Sequence, residues 1–511
     1  MLTLADVIEA LTNIRPTQAN DVITEAAVDS RQVIPGGLFV AIPGEHVDGH
    51  DFVADAFQRG ASFALIQHEI SGTYRTFRLA QGIAINLDGS EISSAAEMGR
   101  SITRAHRVPK LRGQANLSRQ ADTVRVPLQS EDAPVCLLVD NTLLALQQIA
   151  RFWRSKLDLG VVGITGSVGK STTKEVVFEV LSQRYRTLKS PGNMNNEIGL
   201  PLTILRLGSG YERAVLEMGF YVPGEIALLC EIARPRIGVV TNIGTVHAER
   251  AGSQEAIFRG KSELAQALPT DGIAILNLDD PWVSKMAELT QAHTFFYGLD
   301  PKADLWADNV EGLGLEGIRF RMHYRNETLH VHIPMIGQHS VHTALRAAAV
   351  GLADGLTWQE IIFGLRQVHT QLRLTVVRSE NGALLLDDTY NASPESMLAA
   401  LNLLAELDGH KVAVLGDMLE LGQYEKQGHE MVGVRASEVA DTLITIGTLG
   451  HMIAAAARRA GMRSGKIIEF ENTDEAISHL QNSLTGKDVV LVKGSHGIRM
   501  DRIVTALEVP S

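Results

Sequence analysis

The stretch Gly163 to Val176, GITGSVGKSTTKEV, places a glycine-rich turn between an apolar run and a helical pattern. Gly166, Gly169, Lys170 and Ser171 directly follow the strand-like LGVVGIT. Backbone N–H groups of such a loop, at the start of a helix, cradle phosphate oxygens, and the glycines permit close approach. Lysine there neutralises outer phosphates, while the serine hydroxyl can serve Mg²⁺. The expected nucleotide loop is therefore Thr165, Gly166, Ser167, Val168, Gly169, Lys170, Ser171 and Thr172. Ile164 stands where the common P-loop spacing has its first glycine. The loop thus specifies phosphate binding without specifying what is done with the phosphate.

In open parallel sheets ligands bind beyond the carboxyl ends of the strands, so the polar residues after each apolar run are the next candidates. AVLEMG ends in Glu217, an acid placed to meet Mg²⁺, although an isolated glutamate is equally a surface acid. VVTNIGTVHAE brings Asn242, His247 and Glu249 to the same edge. ILNLDD brings Asn277, Asp279 and Asp280, which suit adenine or ribose hydrogen bonds. They equally suit helix capping, since Pro281 follows. SPGNMNNEIGLPLT is a constrained turn in which Asn195 and Asn196 could grip a polar substrate. Towards the end of the chain, LLLDDTYNASPESM, VLGDMLELG and LVKGSHG place Asp387, Asp388, Tyr390, Asn391, Asp417, Glu420, Lys493 and Ser495 at strand ends. No GxGxxG follows any of these strands, which argues against a dinucleotide cofactor.

The elements that must position these residues are legible in the same runs. Short Val- and Ile-rich strands alternating with helical segments predict α/β architecture with parallel sheets covered on both faces. Three domains are expected in the 511 residues. These are a small α/β domain over 1–157, a central P-loop-type domain over 158–368 and a Rossmann-like domain over 369–511. Within the first, the pattern degrades over about 71–134. That stretch carries Arg100, Arg104, Arg107, Lys110, Arg112, Arg119 and Arg125 with few large apolar residues, and reads as an irregular, solvated insertion.

Composition narrows the class. The chain is 45% hydrophobic and 21% charged, with a formal charge of −12, which argues against a nucleic-acid-binding chain. Two widely spaced cysteines, Cys136 and Cys230, favour a reducing compartment. No run reaches the roughly 18 apolar residues of a membrane span. The expectation is a cytoplasmic protein, and a monomer.

Taken in order, GITGSVGKST, GNMNNEIGLPLT, LEMG, IGTVHAERAGS, GKSEL, NLDDP, DDTYNASPESM, LGDMLELG and LVKGS resemble the Mur ligases. VDSRQVIPGGLFVAIPGEHVDGHDF near the start is similar to the same family. The resemblance implies an ADP-forming carboxylate–amine ligase that uses ATP and Mg²⁺ and passes through an acyl phosphate. The wording is nearest the branch that joins D-alanyl-D-alanine to UDP-N-acetylmuramoyl-tripeptide in peptidoglycan precursor synthesis. The alternative is a Mur-type ligase adding a single amino acid to a shorter precursor.

By resemblance, Lys170 and its loop hold ATP, Ser171 and Glu217 serve one Mg²⁺, and His247 contributes to a second metal site. Lys261 in GKSEL matches a carbamylated lysine that ligates metal. Arg373 would reach the ATP phosphates, with Asn277 and Asp388 placing the nucleotide. Ser30 and Arg31 would hold the UDP end of the substrate, and Asn195 and Asn196 its sugar-peptide side. Asn391, Lys493 and Ser495 complete the expected substrate contacts. Two departures stand out: Ser340 and Thr343 occupy positions where the family often has asparagine, and QLRLT lacks the glycine that usually precedes the arginine.

Overall fold

A computed structural model describes residues 1–16, 19–71, 74–80, 83–86, 91–92, 134–245, 249, 252–367 and 375–509. The architecture is α/β with three sheets, as the alternation of strand and helix patterns requires. Chain contacts divide it into two units. The first comprises Met1–Leu159, Asn193–Glu212 and Glu231–Arg234; the second comprises Gly160–Gly192, Arg213–Cys230 and Pro235–Ser511.

In the first unit, a mostly parallel sheet runs in the order Ala26–Ala27, Leu38–Val40, Phe63–Ile66, Val135–Leu138, Arg75–Ala80, Ile83–Asn86, Glu91–Ile92. The last three strands correct the expectation of an irregular insertion from residue 71. Arg75–Ala80 pairs parallel to Val135–Leu138, and Ile83–Asn86 turns back antiparallel. The cause is the alternation in RTFRLA: Phe77 and Leu79 are buried, whereas Arg78 faces solvent and pairs with Asp140. The seven basic residues at positions 100–125 lie outside the described residues.

The unit boundaries also differ from the expected division at 157/158. In the segment 193–212, the helix Gly199–Leu205 buries every residue and packs on the helix Thr142–Ser155. Trp153 donates its indole N–H to the Leu207 carbonyl at 2.8 Å. A helix with no polar face must be covered all round, and the long helix and the strand Ala26–Ala27 supply part of that cover.

The second unit is built on two sheets. The larger has the order Glu327–Ile333, Ile318–Tyr324, Leu305–Gly312, His293–Gly298, Ile273–Asn277, Ile237–Val240, Gly160–Thr165, Arg213–Glu217, Thr187–Lys189. Its pairings are parallel from Thr187–Lys189 through to Leu305–Gly312, and the last two are antiparallel. The helices Lys170–Leu181, Ser340–Ala353 and Trp358–Arg366 cover one face around a core that includes Val162, Ile164, Val177, Leu345 and Ile361. The smaller sheet places Asp488–Lys493 between Leu384–Asp388 and His410–Gly416, followed by Thr442–Ile446 and Ile467–Phe470, all parallel. Thr375–Arg378 adds an antiparallel edge. Because strand order reverses beside Gly160–Thr165 and Asp488–Lys493, the carboxyl ends of these strands are where ligand crevices form.

One contact fixes the helical layer. A Cβ built on Gly364 would lie 2.6 Å from the Val180 Cα, so Trp358–Arg366 crosses the loop-following helix backbone to backbone. Replacing Gly364 with valine is expected to cost about 1–3 kcal/mol, seen as a lower thermal midpoint, because backbone cannot yield as a side chain can. Gly465→Ala, which meets open space, should change stability by no more than about 0.5 kcal/mol. Equal midpoints for the two variants would show that the crossing tolerates a side chain.

Candidate active site

The glycine loop leaves the strand Gly160–Thr165 and enters the helix Lys170–Leu181. Thr165, fully buried, anchors the strand end by donating to the Met218 carbonyl at 3.0 Å. Gly166 has φ +142°, and a Cβ there would sit 1.8 Å from the Thr241 hydroxyl, so only glycine fits. Gly169, with φ +85°, caps the helix without a side chain. No side chain therefore competes for the first N–H groups of the helix, the arrangement that anions use.

The next strand's exit loop fastens this turn. The Asn242 carbonyl accepts from Ser167 N–H and its amide oxygen accepts from Val168 N–H, each at 2.9 Å. Thr241 donates to the Val168 carbonyl at 2.7 Å, and Gly244 N–H donates to the Ser167 hydroxyl at 2.9 Å. These four hydrogen bonds within the protein hold the loop's shape.

Two lysines converge on one carbonyl. Lys170 Nζ lies 2.8 Å from the Gly166 oxygen, and Lys261 Nζ lies 3.0 Å from the same atom. Lys261 comes from the helix Gln254–Gln266 and is fully buried, with the Phe220 ring centroid 4.9 Å from its nitrogen. Gly260 makes room for that ring, since a Cβ there would lie 1.9 Å from Phe220. Burial, reinforced by the neighbouring Lys170 ammonium, pushes the Lys261 amine well below the ordinary lysine value. It is therefore an amine biased towards its neutral, nucleophilic form.

On the other side of the loop, the Ser171 hydroxyl donates to Glu217 Oε2 at 2.7 Å. Glu217 is 1% exposed at the end of Arg213–Glu217. Lys174, one turn beyond Lys170 and 2% exposed, places its ammonium 3.9 Å from the same carboxylate and donates to the Gly192 carbonyl. A hydroxyl and a buried carboxylate side by side at a phosphate loop are hard oxygen donors of the kind Mg²⁺ takes. The donor set fits that ion.

The loop lines a cavity of about 420 Å³, whose wall also carries Asn277, His342, Thr343, Arg346, Asp388, Asn391, Glu395 and Lys493. Asp388 pairs with Lys493 at 2.8 Å, and Lys493 also donates to the Asn391 carbonyl at 2.8 Å. Asn391 turns its own amide oxygen back to Ala392 N–H. Thr172 lies on the cavity wall one residue beyond Ser171.

Other expected residues serve the frame. Asn277 donates to the Thr241 carbonyl and accepts from Asp279 N–H, while Asp280 accepts from Ile243, Trp282 and Val283 N–H groups. Asp280 thus closes the turn through Pro281 that precedes the 3-10 helix Ser284–Glu288. Ser495 accepts from Leu419 N–H and binds the Asp417 carbonyl through its own N–H, holding a neighbouring turn. Asp417 itself accepts from Gly450 N–H at 2.7 Å, and burial raises its carboxyl above the usual range.

In the first unit, Ser30 and Arg31 share a short 3-10 turn capped by Asp29. Arg31 is 80% exposed and pairs with Asp29 at 2.8 Å. Asn196 accepts from Gly199 N–H at 2.8 Å in the turn that enters the helix Gly199–Leu205, and Asn195 N–H bonds to the Asn193 carbonyl. His247 and Arg373 lie outside the described residues.

Lys174, Arg346 and Glu395 were not anticipated. Lys174 had a signal, a second cation on the inner face of the loop-following helix. So did Arg346, an arginine inside the apolar run TALRAAAVGLA. Glu395 follows Pro394 at the start of a helix, where an acid ordinarily only offsets the dipole.

Three family models match in separate stretches: the Mur ligase family catalytic domain over 22–111, the Mur ligase middle domain over 164–351, and the Mur ligase glutamate ligase domain over 372–496. A Bacillus subtilis UDP-N-acetylmuramoyl-tripeptide–D-alanyl-D-alanine ligase is 33% identical across 96% of this chain and 94% of its own length. The Escherichia coli protein of the same name is 31% identical across 96% of this chain and 95% of its own length. Among solved structures, MurF from Acinetobacter baumannii superposes with a TM-score of 0.78 at 27% identity, covering 98% of this chain and 97% of that one. MurF from Thermotoga maritima in complex with ADP gives 0.72 at 28% identity, covering 94% and 96%. With its nucleotide loop, buried lysine and full-length relatives in agreement, this chain belongs to the Mur ligase family.

Proposed function

We propose that the chain joins D-alanyl-D-alanine to UDP-N-acetylmuramoyl-tripeptide, forming ADP and phosphate, in the cytoplasmic assembly of peptidoglycan precursors. The observation that carries this reading is the convergence of Lys170 and the buried Lys261 on Gly166, beside the Ser171–Glu217 pair, at the loop whose residues 167–172 line the cleft. The substrates are those named for relatives that match over nearly the whole chain. ATP use accords with the ADP-bound neighbour.

The chemistry needs what the cleft offers. A substrate carboxylate oxygen attacks the γ-phosphorus of ATP, the bond to ADP breaks, and an acyl phosphate results. The incoming amine then attacks the acyl carbon; phosphate leaves and the amine loses a proton. Negative charge crowds together in the first step, so N–H dipoles and cations must already be aimed at it. Loop residues 165–172 supply the dipoles and Lys170 the cation. Asn277 and Asp388 help to place the nucleotide, and Arg373 adds a phosphate contact.

Ser171 and Glu217 would hold Mg²⁺, which would supply positive charge to offset that of the phosphates. His247 serves a second metal site. Lys261 takes up CO₂, forming an N–C bond and releasing a proton, and the resulting carbamate is a further anionic ligand. Its burial and depressed basicity support this, because only the neutral amine reacts. Ser30 and Arg31 hold the UDP end, Asn195 and Asn196 the sugar-peptide portion, and Asn391, Lys493 and Ser495 the remaining substrate contacts. The protein acts as a monomer.

ADP release with UDP-N-acetylmuramoyl-tripeptide should depend on D-alanyl-D-alanine and be far slower with single amino acids. Release independent of any amine would sink the ligase reading, and preference for a single amino acid would transfer the chain to the other branch. Lys261→Ala should lower kcat by about 100-fold or more, and added bicarbonate should not restore it. A variant retaining the full rate would remove the carbamate from the mechanism.

A further inference from the structure

Arg346 is a buried charge in the second unit that the reading above does not use. It projects from the helix Ser340–Ala353, is 5% exposed, and lines the same cleft as the glycine loop. Its Nη2 donates to the Thr343 hydroxyl at 2.7 Å, and its Cζ lies 5.9 Å from the Tyr297 ring centroid. Its Nε is buried without a hydrogen-bond partner. Among the described residues it has no ion-pair partner. Burial pushes the Tyr297 hydroxyl up to about 12, so that neighbour stays a neutral phenol and offsets no charge. A buried cation without an anion is costly, and folds rarely retain one without use. Lys493 shows the contrast, being equally buried but paired with Asp388.

The place of the guanidinium supplies the missing anion. A Cβ built on Gly169 would lie 3.4 Å from Arg346 Nη2, so the fork stands against the loop at the residue that opens the helix N-terminus. We infer that Arg346 is a nucleotide-binding residue whose guanidinium pairs with a phosphate oxygen of ATP and ADP on the Gly169 side of the loop. The inference rests on the reading that this loop holds ATP. Guanidinium offers several N–H donors in a planar fork suited to phosphate, and the orphaned Nε provides one already stripped of water. Desolvation is then borne by the fold, and the ligand recovers it on binding.

Calorimetric titration of the full chain with adenosine, AMP and ADP tests this. In Arg346→Gln, ADP affinity should fall by about tenfold or more, with AMP weakened and adenosine unchanged, because only phosphate-bearing ligands lose a charge-assisted bond. Arg346→Lys should recover part of the loss, having charge but no fork. ADP binding by the native chain should also fall more steeply with salt than binding by Arg346→Gln. Unchanged ADP affinity in Arg346→Gln, or an equal loss for adenosine, would overturn the proposal. Failure of the native chain to bind ADP would instead overturn the nucleotide reading beneath it. If Arg346→Gln does not fold, Arg346→Lys decides: native affinities for AMP and ADP reject the role, and selective weakening supports it.

Discussion

The carbonyl of Gly166 accepts from both Lys170 and Lys261, and the rest of the site is arranged around that shared acceptor. A peptide oxygen can receive two donors, but two ammonium groups at hydrogen-bond distance from it repel each other. The fold resolves the conflict by burying Lys261 completely and leaving Lys170 partly open to the cleft. One amine faces the cleft, and the other is biased to the neutral form by its burial. Neither position exists unless Gly166 takes a backbone conformation closed to other residues and leaves space for Thr241. The loop's glycine therefore does more than let phosphate approach: it creates the acceptor at which an open and a buried lysine meet.

The buried charges around that point follow one logic with different partners. Glu217 is flanked by the Ser171 hydroxyl and the Lys174 ammonium in a dry setting. Asp388 and Lys493 neutralise one another on the opposite wall. Such pairs are weak contributors to stability because desolvation consumes most of their attraction, but removing one member is severe. They are better read as devices that hold hydrogen-bonding atoms in fixed places.

Much of this was legible in the residues, and the remainder was hidden for identifiable reasons. Gly166, Lys170, Ser171 and Glu217 announce themselves because a strand, a turn and a helix are each recorded in local sequence. Lys261 does not; only its resemblance to a family lysine marked it, since burial of a helix-face lysine is decided by Phe220 and Gly260. Asn277 and Asp280 show the reverse. Their types suit a ligand, yet backbone N–H and carbonyl groups engage both, and nothing local distinguishes these uses. The strands over 75–92 were masked by the long basic stretch that follows them. The helix Gly199–Leu205 lies between two elements of the larger sheet in sequence but belongs to another unit, a fact of tertiary packing alone.

That last feature bears on how the molecule can be taken apart. The chain passes between its two units at 159/160, 192/193, 212/213, 230/231 and 234/235. No single cut separates them: a fragment ending at Leu159 lacks the helix Gly199–Leu205 and exposes the apolar surface that helix covers. The first unit is thus a discontinuous module, completed only after part of the second has been synthesised. Recombining it with a different catalytic half would require grafting two excursions as well as the amino-terminal stretch.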